Sequence, residues 1–156
     1  MEERIGMQFT KMQGLGSSYI LFNLLEDSMG NVDFSKLSKL VTDVNVGIGS
    51  DGMLLIGPSN RADFRMRVFD QEGIEADHSL IGLQCVAAYL YDTMYAETTS
   101  FTIETLAGDI SIKVELGEKR KVKTVMVWDQ RNQVWTNGEV NYVCYGELET
   151  MNIPRT

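Results

Sequence analysis

The chain has 156 residues, 44% apolar and 23% charged, with a net charge of −8 and a pI near 4.6. It is long enough to bury the core of one domain, and its acidity argues against nucleic acid or a membrane surface as a partner. Met1-Glu2-Glu3-Arg4 is charged with no apolar leader behind it, no apolar run approaches the roughly 20 residues of a membrane span, and Cys85 and Cys144 in unlike contexts suggest no disulfide framework, so a cytoplasmic location is expected.

Residues 8–12 alternate weakly and predict a strand that ends at Gly14 and Gly16. A more continuous apolar strand follows over 18–25, and Ser28-Met29-Gly30-Asn31 is a turn cluster. Asp33 is placed to cap a helix running to Thr42, with Phe34, Leu37, Leu40 and Val41 on its apolar side. Gly47, Gly49 and Gly52 bracket a passage into a buried strand over 53–56, and are expected there mainly for positive φ. In 64–69, Phe64, Met66 and Val68 alternate with Arg65, Arg67 and Phe69, which predicts one core face and one largely basic face. Asp77 or Ser79 caps the next helix, predicted to run to about Tyr95. With Leu80, Ile81, Leu83, Val86, Ala87, Ala88, Leu90 and Tyr91 it is apolar nearly all round and so must be buried on most sides. Later strands are expected over 101–105, 109–114 and 123–127. Beyond Asp129 polar residues and turns dominate, so the chain divides into a domain over 1–128 and a tail of unassigned structure over 129–156.

Several of these segments, taken in order, resemble the diaminopimelate epimerase family. Phe9-Thr10-Lys11-Met12-Gln13-Gly14-Leu15-Gly16 is similar to the family's FTKMHGLGN. Gly47-Ile48-Gly49-Ser50-Asp51-Gly52-Met53-Leu54-Leu55 is similar to GIGADGLLL. The strand from Phe64 to Phe69 with Gly73-Ile74-Glu75-Ala76 looks like FRMRIFNADGSEA, and Thr105-Leu106-Ala107-Gly108 looks like the T-x-A-G region. The resemblance covers about residues 7–115. It implies an α+β fold in which a curved mixed β-sheet or barrel wraps around one central apolar helix, one half of a diaminopimelate-epimerase-like fold. It also implies cofactor-independent chemistry with no cofactor, and two lone cysteines with one histidine are too few to predict a metal site.

The departures from the pattern bear on chemistry. Members are roughly twice this length, with two similar halves that each give one catalytic cysteine, so the resemblance implies that a second half is lacking here. The first cysteine opens a Cys-Gly-Asn-Gly turn at a helix N-terminus, and that turn is Ser79-Leu80-Ile81-Gly82 in this chain. Ser79 thus stands at the position of the first catalytic cysteine. Ser17 and Asp70 stand where substrate-contacting asparagines are usual, and Gly52, Leu80 and Ile81 occupy the remaining substrate-binding positions.

Removal of a weakly acidic α-proton needs a strong base in a dry site, which a thiolate at a helix N-terminus provides. A serine hydroxyl needs an activating base of its own. The only histidine, His78, is its immediate neighbour, and adjacent residues at a helix start rarely point together. Ser79 therefore reads first as an N-cap, with a residual ligand contact and a catalytic base as alternatives. Gly14-Leu15-Gly16-Ser17-Ser18 reads as a strand-connecting turn or, by resemblance, as a wall of the substrate cleft. Cys85 reads as a buried structural thiol. The expectation is an epimerase-like half without turnover on its own; the alternative is an amino-acid epimerase or racemase subunit that completes its site with another chain. The partners considered are a small amino-acid ligand and a second half-chain or homodimer.

Overall fold

The structure is a computed structural model and describes residues 6–149 and 152–156; the charged start Met1-Glu2-Glu3-Arg4 lies outside them. Strand β1 (Met7–Gly14) turns directly into β2 (Ser17–Asn23) through Leu15 and Gly16, both left-handed at φ 49° and 83°. Two such residues give the tight turn that matches the twist of a hairpin. Helix α1 (Phe34–Thr42) starts at Asp33, whose carboxylate accepts the Lys36 N–H at 3.1 Å. It carries the chain across to β3 (Gly52–Gly57), parallel to β2. Then come β4 (Phe64–Asp70), antiparallel to β3, and the short β5 (Glu75–Ala76) paired to β4. Helix α2 (Leu80–Asp92) crosses over to β6 (Ser100–Thr105), which lies parallel to β4.

Strands β7 (Gly108–Leu116), β8 (Val122–Asp129) and β9 (Val134–Gly138) add on as antiparallel neighbours, and β10 (Asn141–Leu148) returns to pair with β1. The order β10-β1-β2-β3-β4-β6-β7-β8-β9 is a curled mixed sheet. Beyond Asp129, where the sequence offers no periodic signal, the chain thus supplies two further strands of the same sheet. Its last residues dock beside α1: Ile153 is buried, and the Asp33 N–H donates to the Pro154 carbonyl at 3.0 Å.

Two apolar layers fill the two faces of this sheet. In the inner one, α2 buries Leu83, Cys85, Val86, Ala87, Ala88 and Leu90 against residues from both the early and the late strands, Met12, Leu21, Leu54, Ile112 and Val127 among them. In the outer one, Leu37 and Val41 of α1 pack on Ile20, Phe22, Met53, Leu55 and Phe69. Strand β3 is apolar on consecutive positions because both of its faces are covered.

The second face of β4, expected to be largely basic, is corrected by the same layer. Phe69 is buried under α1, and the Arg67 guanidinium lies 5.1 Å from its ring centre and 5.7 Å from that of Phe34. Arg67 also donates to both oxygens of Glu75, at 2.9 and 3.0 Å. A planar cation can stack on aromatic rings while its edge pairs with a carboxylate, so it is accommodated in an otherwise apolar layer. Among the described residues no helix is long and apolar enough to cross a membrane.

Candidate functional site

The residues singled out from the sequence gather along one rim of the sheet. Gly14 pairs with Ser17, Tyr19 with Gly52, and Gly52 with Asp70, so the ends of β1 to β4 meet there in register. The N-terminus of α2 meets the same rim. Ser79 is its N-cap, with extended φ and ψ and a hydroxyl that accepts the Gly82 N–H at 2.9 Å. Of the two predicted caps, Asp77 and Ser79, the helix uses Ser79.

The Ser79 hydroxyl has a second partner, the Tyr19 phenol at 3.0 Å. The sequence did not single out Tyr19. Its sign was the pairing of a large ring with Gly52, which shows only once β2 and β3 are aligned. A Cβ on Gly52 would lie 2.8 Å from the Phe69 carbonyl oxygen and 3.0 Å from the Tyr19 ring. Glycine at 52 thus leaves room for the ring that reaches Ser79. Gly82, the one residue shared with the Cys-Gly-Asn-Gly pattern, is also needed for clearance, since a Cβ there would lie 2.9 Å from Leu54 Cδ2. The expectation of positive φ holds for Gly49, at 89°; Gly47 and Gly52 instead allow close backbone approach.

Asp51 ties the two glycine loops together. Its carboxylate accepts the Ser18 N–H at 2.8 Å, and its own N–H donates to the Ser18 carbonyl at 2.9 Å. The Gln71 amide donates to the Ser50 carbonyl at 2.9 Å, which adds the β4–β5 turn to the rim. The Asp70 carboxylate is turned into its own loop, where one oxygen accepts the N–H groups of Glu72 and Ile74 at 2.8 and 2.9 Å. Ser17 is half-buried at the head of β2, Leu80 is exposed, and Ile81 faces Gly14 at the end of β1. His78 is exposed, and among the described residues no imidazole or carboxylate bonds the Ser79 hydroxyl.

Two cysteines lie away from this rim. Cys85 is fully buried in α2, and burial pushes its thiol up to about 12 from an ordinary 9.0, which keeps it protonated and unreactive. Cys144 is exposed on β10. Chemically, the rim offers hydroxyls and backbone donors at a helix start. It can accept a hydrogen bond or hold an anion, but it presents no thiolate.

The sequence profile described as diaminopimelate epimerase matches residues 9–128. The diaminopimelate epimerase of Bacillus subtilis is 42% identical over 145 residues, which is 93% of this chain and 50% of that protein. The chain thus spans about half the length of the curated relatives it matches. In fold it is similar to a phenazine biosynthesis protein of the PhzF family from Bacillus anthracis, with a TM-score of 0.63 at 20% identity over 79% of this chain and 40% of the other. It is also similar to a hydroxyproline epimerase from Agrobacterium vitis, with a TM-score of 0.62 at 15% identity over 81% and 42%. With a profile match over most of its length and the same curled mixed sheet as these solved structures, the chain belongs to the diaminopimelate epimerase family.

Proposed function

We propose that this chain is a diaminopimelate-epimerase-like half in which α2 is the central helix of a half-barrel, and that it does not epimerise an amino acid on its own. The observation that carries this reading is the state of Ser79. Its hydroxyl is engaged as an N-cap by Gly82 and paired with Tyr19, and among the described residues no imidazole or carboxylate reaches it. A hydroxyl in that setting caps a helix and does not abstract an α-proton. Leu80 and Ile81 add apolar bulk where a doubly charged amino acid would need small or amide groups.

The test is deuterium uptake at the α-carbon of diaminopimelate and a panel of amino acids, incubated with the pure chain in heavy water. No exchange above a no-protein control is expected, either for the native sequence or for Ser79→Cys, because the Leu80-Ile81 turn persists in that variant. Exchange by the native chain would make Ser79 a base and sink the reading.

A second reading, that the chain is a subunit completing its site with another chain, is favoured by the apolar side chains at the turns nearest α2. Leu15 is 80% exposed, Leu106 56% and Leu80 36%. Large aliphatic groups gathered at one end of a sheet fit a surface that something covers.

A further inference from the structure

We infer that the cleft between the first turn of α2 and the β8–β9 hairpin binds a small monocarboxylate with an apolar body. The cleft has a volume of about 350 Å³, at the lower end of the range for small-molecule sites. Leu83, Ile110 and Val127 form its apolar lining, with Leu80 beside them. His78, Arg131 and Asn132 add polar groups. None of Ser17, Tyr19, Gly52, Asp70, Ser79 and Ile81 lines it, so it shares only Leu80 with the positions matched to the family's site.

The charges select the ligand. Arg131 makes no ion pair among the described residues. Asp129, the carboxylate in the lining, is turned into the hairpin. One of its oxygens accepts the N–H groups of Arg131 and Asn132 at 3.0 and 3.2 Å, and the other accepts the Asn132 side-chain amide at 2.8 Å. These bonds shape the turn that carries Arg131 at the cleft. The hydrogen bonds from Asn132, and after them the nearby Arg131 charge, hold the Asp129 carboxyl below its usual range, and that charge can also meet an incoming carboxylate.

Among the lining residues the one carboxylate, Asp129, is already bonded within the hairpin and held beside Arg131, which disfavours a free amino acid. The apolar lining is what an aliphatic or aromatic body would cover.

The experiment is calorimetric titration of the full chain with 3-phenylpropionate. The comparison ligands are 3-phenylpropanol, which lacks the charge, acetate, which lacks the body, and phenylalanine, which adds the ammonium. Saturable binding with Kd at or below about 1 mM is expected for 3-phenylpropionate. Binding of each comparison ligand, and of 3-phenylpropionate to Arg131→Gln, should be weaker by about tenfold or more, the scale of one lost charged hydrogen bond. Leu80→Asn should weaken binding as well, with circular dichroism showing both variants folded. No saturable heat, equal affinity for the alcohol or acetate, or an unchanged Arg131→Gln variant would each overturn the assignment. Because the readout is binding, the result stands apart from the α-proton exchange assay.

Discussion

At Ser79 one hydroxyl closes two contacts, the first turn of α2 through Gly82 and the rim of the sheet through Tyr19. Replacing it by alanine removes a cap and leaves both a phenol and an N–H without that partner. Ser79→Ala is expected to cost about 1–2 kcal/mol in urea unfolding, the scale of a lost N-cap with some added loss from the phenol. Tyr19→Phe should cost less, and the two changes together should fall short of their sum because they share one bond. Equal additivity would mean that the Tyr19–Ser79 contact contributes nothing. The capping role was readable from the sequence, since Ser79 precedes an apolar run. Tyr19 was not, because the helix start and β2 lie 60 residues apart and meet only through the fold.

Among the elements, α2 decides most of the interior. Its mean apolarity, unbroken by a polar stripe, is explained by the residues that close over it from strands on both sides. Cys85 sits within this layer, and its raised pKa ties the helix to pH. The native state keeps the thiol proton while the unfolded chain loses it near 9.0, so above that pH the native form holds more protons and stability must fall. The contribution is complete below 9.0 and is lost as pH rises towards about 12. Tyr142, raised by burial and then by its bond to Asp92, acts with the same sign. Urea midpoints measured from pH 8 upwards should therefore decline, and Cys85→Ala should flatten that decline even while lowering the starting stability through the cavity it leaves. An identical slope in the variant would show that the thiol is not the titrating group.

For the whole molecule the open question is what faces the turns around the α2 N-terminus. If the subunit reading is right, the pure chain should run by size-exclusion chromatography with light scattering as a dimer at micromolar concentration or above. A strict monomer at every concentration would leave the lone, silent half as the better account and would rule out a stable homodimer. The −8 charge works against close approach of two copies in general, so a dimer would also have to be insensitive to added salt or favoured by it.

The sequence by itself determined the local elements and the family. Period-two alternation, the Asp33 and Ser79 caps, the glycine turns and the all-round apolar run are each written in a few neighbouring residues, and so are the blocks that match diaminopimelate epimerases. Only the tertiary structure decided which strands lie side by side. Strand β10 reaches β1 from the far end of the chain and is exposed along nearly its whole length, so no buried face announces it. It also showed that β4 has a second covered face, that Gly52 makes room for Tyr19, and that the β8–β9 hairpin brings Arg131 to a cleft beside the first turn of α2. The physical reason is that a periodic pattern reports how a segment is buried, not which distant segment buries it; that choice depends on sheet order and curvature, which no local window contains.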